Sequence, residues 1–213
     1  MRAVIFVWAE LTVLPVEIRE DDFVICADVG LKPAERFGVR PSVVIGDFDS
    51  YPNGRLYNGE KVVLPVEKDD TDTHYAVRYA LDRGADEIVI VGGIGGARED
   101  HTFANIATLR YIYSRGAKGY IITDRARIDY LENGNLTLPA EEKSVNVTVF
   151  SSPTTAAIVT GVTFFPDAAC AVIDIDNPRQ RHNARQQIRA IAPPKTVFLI
   201  FTRFSIVIPY ISF

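Results

Sequence analysis

The sequence predicts a mixed α/β fold, in which a mostly parallel, Rossmann-like α/β domain precedes a smaller all-β, sandwich-like domain. Up to about residue 132, short apolar runs alternate with amphipathic segments, which is typical of a parallel sheet covered by helices. Beyond that point, β-branched runs follow one another without a convincing long helix. We therefore expect an α/β domain over residues 1–132 and a β-rich domain over residues 133–213.

The α/β prediction depends on six short apolar runs and three amphipathic segments. In the second amphipathic segment, apolar residues recur three and four positions apart, which places one apolar stripe against a sheet. The predicted helices are Lys32–Phe37, Thr73–Arg83 and His101–Arg115. The predicted strands are Ala3–Val7, Phe23–Ala27, Ser42–Ile45, Lys61–Leu64, Glu87–Val91 and Gly119–Thr123.

The β-rich prediction begins at the turn Glu132–Asn135, whose Asn-Gly pair is typical of a hairpin. After this turn, the β-branched runs predict further strands. They are Val145–Phe150, Ala157–Thr163, Ala169–Ile173 and Thr196–Phe201.

Composition restricts the class of protein. The chain has 213 residues, of which 47% are hydrophobic and 23% charged, and its net charge is −4. This balance argues against a nucleic-acid partner, since no basic excess is present. The apolar start, Met1–Ala9, is too short to span a bilayer, so we expect a cytoplasmic protein without a membrane partner. Cys26 and Cys170 lack metal-binding spacing, and Cys26 is predicted to be a buried thiol.

Paired carboxylates follow the third predicted strand, in the segment Gly46–Ser50. Extended backbone would place the side chains of Asp47 and Asp49 on one side, where they would repel each other unless a cation lies between them. Magnesium suits such a pair, because it takes one or two carboxylates and completes its shell with phosphate oxygens and water. The alternative is a turn in which aspartates cap backbone amides.

Three further polar motifs fall at predicted strand ends or helix starts, where open α/β sheets bind ligands. Ala27–Gly30 follows the second strand and contains Asp28. Lys68–Asp72 precedes the second helix; Asp70 or Thr71 would cap that helix, and the remaining acids suggest a second wall of a cation site. Lys68 would meet a phosphate as a point charge.

The last motif is the glycine-rich turn at residues 92–101, between the fifth strand and the third helix. Glycines such as Gly95 and Gly96 let backbone amides approach a phosphate, and the following helix start favours an anion. A dinucleotide-binding oxidoreductase would also fit such a turn. Against that reading, the turn lies late in the chain and also carries Arg98, Asp100 and His101.

In this order, the motifs resemble those of the thiamine pyrophosphokinase family over roughly residues 25–132. Gly46–Ser50 matches the family's Gly-Asp-Phe-Asp-Ser segment in full. The family's Lys-Asp-x-Thr-Asp and Arg-x-Asp-His patterns match at Lys68–Asp72 and Arg98–His101, and Ala104–Ile106 matches its Ala-Asn-Ile. The resemblance implies an α/β catalytic domain that binds nucleotide, a C-terminal β-sandwich and a homodimer. It also implies pyrophosphoryl transfer from ATP to thiamine, which releases AMP.

The resemblance also implies roles for individual residues. Asp47, Asp49 and Asp72 would be the catalytic carboxylates that hold magnesium on the ATP phosphates. The thiamine-binding residues stay unassigned, because the family's C-terminal Gly-x-Ser-Asn segment has no match here. The residues expected to line the nucleotide and phosphate site are Asp28, Ser50, Lys68, Asp69, Thr71, Gly95, Gly96, Arg98, Asp100 and His101.

Two other departures from the family pattern are Val29, where glycine is usual, and Ala97, an apparent insertion in the glycine-rich turn. Residues 177–213 contain six Lys or Arg and no Asp or Glu, which suggests either a divergent β domain packed at a dimer interface or a shifted reading frame after Phe150. Two alternatives to the thiamine-directed activity stay open. The chain could be a diphosphokinase that acts on a pterin alcohol, or a non-catalytic nucleotide-binding module.

Overall fold

The computed structural model describes residues 1–67, 69–96 and 98–131, together with the backbone of the strands within residues 135–139, 144–151, 162–163, 170–174 and 197–202. Lys68, Ala97 and the Asn133-Gly134 pair lie outside the described residues. The chain divides into two compact units, Met1–Asp124 and Arg125–Phe213. No helix among the described residues is long and apolar enough to cross a bilayer.

The described residues of the first unit form a parallel six-stranded sheet. Its spatial order is β6-β5-β1-β2-β3-β4, and each neighbouring pair runs in the same direction. The central strands are almost wholly buried, as expected for a sheet covered on both faces. The strands are β1 (Arg2–Phe6), β2 (Phe23–Ala27), β3 (Val43–Gly46), β4 (Glu60–Val63), β5 (Glu87–Val91) and β6 (Lys118–Ile122).

Three α-helices connect these strands: α1 (Leu31–Arg36), α2 (Asp72–Asp82) and α3 (Glu99–Ser114). α2 and α3 bury residues three and four positions apart, such as Ala76, Val77, Ala80 and Leu81 of α2. Short 3₁₀ helices lie at Asp28–Gly30 and Pro52–Leu56. The six predicted strands and three predicted helices of this unit are therefore confirmed, with ends that move by one or two residues.

The second unit contains β7 (Ala126–Leu131), β8 (Asn135–Pro139), β9 (Ser144–Ser151), β10 (Val162–Thr163), β11 (Cys170–Asp174) and β12 (Val197–Thr202). The recorded pairings, β7 with β12, β12 with β9, β9 with β10 and β8 with β11, are all antiparallel. Much of this unit lies outside the described residues, so the all-β sandwich and the boundary after residue 132 stay predictions.

The core of the first unit is continuous from the sheet to the helices. Phe6, Ile25, Val44 and Ile90 are fully buried. The predicted buried thiol of Cys26 is confirmed, and burial raises its pKa well above the usual range. Such burial leaves the carboxyl ends of the strands as the part of the sheet where polar side chains collect.

Candidate active site

The loops that follow β2 and β3 contain two non-glycine residues with positive φ, Asp28 at 43° and Phe48 at 59°. L-residues other than glycine adopt this region rarely, and such strain concentrates at ligand-binding sites. β2 and β3 are neighbours in register, with Ala27 opposite Ile45, so the two loops emerge side by side. Gly46 permits this closeness, because a Cβ there would lie 3.0 Å from the Cα and Cβ of Asp28.

The expectation of extended backbone between Asp47 and Asp49 is wrong. The left-handed φ of Phe48 turns the chain between the two aspartates, and the Phe48 side chain is buried against Gly54. Asp47 is only 8% exposed, whereas Asp49 is exposed and accepts a hydrogen bond from the Ser50 hydroxyl at 2.8 Å. The Asp49 backbone N–H also donates to Asp47 Oδ1 at 3.1 Å, which is the capped turn that the sequence left open.

The start of α2 supplies a third carboxylate. Thr71 caps this helix, and its Oγ1 accepts a hydrogen bond from the His74 N–H at 3.1 Å. The cap therefore falls on Thr71, as one of the two predicted positions, while Asp70 pairs with Arg78 at 2.9 Å. Asp72 is the first helical residue, at the positive end of the helix dipole.

Three carboxylates come together at this edge of the sheet. Asp28, Asp47 and Asp72 each offer one oxygen, and these atoms lie within 4.8 Å of one another. We call this group the acidic cluster. Asp49 lies outside it, so the three-dimensional group contains Asp28 in place of one of the three carboxylates that the sequence favoured. The ligand role of Asp49 stays a prediction.

The acidic cluster changes the protonation of Asp28. Burial, followed by the nearby charge of Asp72, raises the pKa of Asp28 to about 6, and the Val29 N–H opposes this rise by donating a hydrogen bond. The Asp28 Oδ1 atom is buried and has no hydrogen-bond partner among the described residues. A cation would give this oxygen a partner, and three carboxylates this close to one another fit a hard divalent ion such as Mg²⁺.

A pocket of about 280 Å³ opens beside the cluster, within the first unit. Asp28 and Asp72 of the cluster line this pocket, together with Gly93, Gly95 and Arg98 of the glycine turn, which we define as the described residues 92–96 and 98. Its lining residues are Val7, Trp8, Ala27, Asp28, Val29, Ser50, Thr71, Asp72, Thr73, Gly93, Gly95, Arg98, His101 and Asn105.

Arg98 and Asp100 form an exposed ion pair at the end of the glycine turn. The guanidinium donates to both carboxylate oxygens, at 2.9 and 2.7 Å. This contact lowers the pKa of Asp100 to about 2. Because the α3 helix starts at Glu99, Arg98 places a positive side chain where the helix dipole also favours an anion.

The structure brings together seven of the residues that the sequence assigned to the site, because all of them line this pocket. They are Asp28, Ser50, Thr71, Asp72, Gly95, Arg98 and His101. Asp47, Asp49, Asp69, Gly96 and Asp100 are described but are not among the lining residues, and Lys68 falls outside the described residues. Asp47 nevertheless belongs to the site through the acidic cluster.

Seven of the lining residues were not assigned to the site from the sequence, among them Trp8 and Asn105. Trp8 follows β1, and the strand-end rule that selected the other loops would have found it, but the run Met1–Ala9 was interpreted only as a core strand. Asn105 lies one helical turn after His101, so their shared face of α3 was the available signal.

The chain is similar to known proteins in sequence and in fold. Residues 15–121 match the family described as "Thiamin pyrophosphokinase, catalytic domain". The thiamine pyrophosphokinase of Bacillus subtilis strain 168 is 31% identical over 120 residues, which cover 54% of this chain and 52% of that protein. The chain thus aligns with about half the length of that curated relative.

Solved structures share the fold at lower identity. The crystal structure of thiamine pyrophosphokinase from Bacillus subtilis has a TM-score of 0.64 and 17% identity, covering 94% of this chain and 98% of that one. The structure from Geobacillus thermodenitrificans has a TM-score of 0.60 and 18% identity, covering 96% and 97%. The family model matches residues 15–121, which are half of this chain, so the chain belongs to the thiamin pyrophosphokinase catalytic-domain family.

Proposed function

We propose that this chain is a magnesium-dependent thiamine pyrophosphokinase, which transfers the pyrophosphoryl group of ATP to thiamine. The single observation that carries the proposal is the acidic cluster beside a pocket that the glycine turn and the start of α3 also line. A cation site and an anion site in one pocket suit a metal–nucleotide complex. Membership of the family then favours thiamine as the acceptor.

Asp28, Asp47 and Asp72 would hold the magnesium ion, and Asp49 would contribute if the loop after β3 rearranges. Magnesium bound there would neutralise the negative charge of the phosphate oxygens. The backbone of Asp28 is strained by its positive φ. Asp72 lies at the N-terminus of α2, where the helix dipole favours a negative charge. Their placement before any ligand binds reduces the reorganisation that binding requires.

The backbone of the glycine turn and the Arg98 guanidinium would position the nucleotide phosphates. Arg98 is 64% exposed and engages only the equally exposed Asp100 among the described residues, so a phosphate can compete for its donors. Ser50, Thr71 and His101 line the same pocket and can donate to phosphate or sugar oxygens. Asp69, Gly96 and Asp100 stay predicted contacts, as does Lys68.

In the reaction, a bond forms between the thiamine hydroxyl oxygen and the β-phosphorus of ATP. The bond from that phosphorus to the oxygen bridging the α- and β-phosphates breaks, AMP leaves with that oxygen, and the hydroxyl proton is released. The protein would align the attacking hydroxyl oxygen and the departing bridging oxygen on opposite sides of the β-phosphorus. It would also stabilise the negative charge that develops on the phosphate oxygens. We also propose a homodimer, on the resemblance alone, and a location in the cytoplasm, on the shortness of the apolar start of the sequence.

The deciding experiment incubates the purified full chain with ATP, Mg²⁺ and thiamine and separates the products by chromatography. We expect thiamine diphosphate and AMP in equal amounts, and neither product when EDTA removes the metal. Release of ADP with thiamine monophosphate would contradict pyrophosphoryl transfer. A parallel reaction with a pterin alcohol tests the other acceptor; transfer to the pterin alone, or nucleotide binding without any transfer, would overturn the proposal.

A further inference from the structure

Asn105 is a buried polar residue that the proposed chemistry leaves unused. It lies on the face of α3 that packs toward the sheet, with Thr108, Leu109 and Ile112 at the following three-, four- and seven-residue positions. Only 2% of its surface is exposed, yet it lines the pocket. A buried side-chain amide needs partners for both its nitrogen and its oxygen.

One side of the amide is satisfied in a way that fixes its orientation. Asn105 Nδ2 donates to the Gly93 carbonyl oxygen at 2.8 Å. If the amide were rotated by 180°, its oxygen would face that carbonyl oxygen, and two acceptors would repel each other. The contact is close because residue 93 has no side chain; a Cβ there would lie 2.7 Å from Nδ2. The nitrogen therefore faces the glycine turn.

The other side of the amide is not satisfied. Asn105 Oδ1 is buried and has no hydrogen-bond partner among the described residues. An amide oxygen accepts hydrogen bonds and donates none, so it disfavours a phosphate oxygen and favours an O–H or N–H group. A buried acceptor that stays unpaired is destabilising, which makes binding of a donor at this position favourable.

We propose that Asn105 Oδ1 accepts a hydrogen bond from a neutral hydroxyl or amino group of the bound substrate and thereby selects the end of the substrate that enters this part of the pocket. The phosphates would then lie away from Asn105, toward Arg98 and the acidic cluster. With the function proposed above, on which this step rests, two substrates offer such donors. They are the nucleoside of ATP, through its ribose hydroxyls or adenine amino group, and thiamine, through its hydroxyl or amino group.

The test measures binding without turnover, by calorimetry on the full chain with Mg²⁺. One series compares ATP with its 2′-deoxy, 3′-deoxy and inosine counterparts; the other compares thiamine with analogues that lack the hydroxyl or the amino group. We expect one analogue, in one series, to bind the wild-type protein about tenfold or more weakly than its parent. The series in which this loss occurs identifies the substrate that contacts Asn105.

The same titrations on Asn105→Leu, which has similar shape but no acceptor, isolate the contact. The variant should bind the parent and the critical analogue with equal affinity, because the group that distinguishes them is gone. The proposal is overturned if no single-donor analogue weakens binding to the wild-type protein, a result that does not depend on the variant's folding. The proposal is also overturned if the critical analogue loses the same binding affinity, relative to its parent, in the wild-type protein and in Asn105→Leu. Because no product is measured, an inactive but binding protein would contradict the proposed reaction and leave this contact testable.

Discussion

Asp28 in the acidic cluster and Asp100 beside the glycine turn are both aspartates near one pocket, and their pKa values move in opposite directions. Burial and neighbouring carboxylates raise the pKa of Asp28 to about 6, whereas Arg98 lowers that of Asp100 to about 2. The first carboxylate is half-buried and has one oxygen without a hydrogen-bond partner among the described residues, whereas the second is exposed and already paired.

This contrast indicates that a cation is needed at the acidic cluster rather than at the glycine turn. In the acidic cluster, the fold holds three carboxylates close together, so a cation bound there would reduce their mutual repulsion. On the side of the glycine turn, the charges of Arg98 and Asp100 compensate each other in solvent, where an ion pair contributes little. The acidic cluster should therefore respond to metal more strongly than the glycine turn does.

The largest expected effect comes from removing a charge of the acidic cluster. Asp47→Asn and Asp28→Asn should each lower turnover about 100-fold or more and raise the Mg²⁺ concentration needed for half-maximal rate, because each removes a ligand of the ion. Asp49→Asn, which changes a carboxylate outside the cluster, should have a smaller effect. Initial rates over a Mg²⁺ titration measure both quantities.

Asp21→Asn is the matched control, since it makes the same chemical change at an exposed position just before β2, at the opposite end of that strand from Asp28. It should behave as the wild-type protein. If Asp49→Asn were as damaging as Asp47→Asn while Asp28→Asn kept full activity, the ligand set would be the one that the sequence motif favoured.

A smaller effect is expected from the glycine turn, where two neighbouring glycines provide a matched pair. Gly95 and Gly96 have φ values of 77° and 90°, so alanine at either position strains the backbone by about 1–2 kcal/mol. A Cβ at Gly96 would also lie 2.5 Å from the Trp8 ring, whereas a Cβ at Gly95 would meet no atom within 4 Å. Gly96→Ala should therefore lower the free energy of unfolding by about 1 kcal/mol more than Gly95→Ala.

Fluorescence can separate these two variants, because Trp8 is the single tryptophan in the sequence. Displacement of its ring should shift the emission maximum in Gly96→Ala and leave it unchanged in Gly95→Ala. Denaturant titrations followed by circular dichroism give the free energies independently of that ring. Equal emission and equal stability in the two variants would show that Trp8 does not pack on the turn.

The sequence was sufficient to predict most of the fold of the first unit, because its strands are apolar on both faces and its helices have a clear stripe. It was insufficient for the loop after β3. The turn at Phe48 depends on burial of that ring against Gly54, six residues away, and a local pattern of alternating side chains contains no sign of it. The expected extended backbone between Asp47 and Asp49 was wrong for that reason.

Asp28 and Trp8 show a second limit. Asp28 enters the acidic cluster because β2 and β3 are neighbours in the sheet, and strand order is a property of the topology rather than of a motif. Trp8 reaches the pocket because β1 is central, between β5 and β2. The sequence assigned Asp28 to the nucleotide site by its motif, but its position beside Asp47 depends on strand order, which no motif records.

The smallest expected effect is a pH dependence of stability in the metal-free protein, which the raised pKa of Asp28 predicts. Between its ordinary value of 3.8 and about 6, the folded protein binds more protons at Asp28 than the unfolded chain does. The free energy of unfolding therefore falls as pH rises through this range, because ionised Asp28 is less favourable in the folded state. The full shift corresponds to about 3 kcal/mol, and solvent screening at this half-buried site reduces it to about 1 kcal/mol.

Asp28→Asn has no charge to lose, so its stability relative to the wild-type protein should rise by about 1 kcal/mol between pH 4 and pH 7 in EDTA. Urea titrations at several pH values measure this difference, with Asp21→Asn as the control that should follow the wild-type curve. Addition of Mg²⁺ at pH 7 should stabilise the wild-type protein more than Asp28→Asn, because the ion offsets the repulsion that the substitution has already removed. A difference between the two proteins that stays constant over this pH range would mean that the carboxyl of Asp28 is not destabilised by its neighbours, and the contrast with Asp100 would disappear.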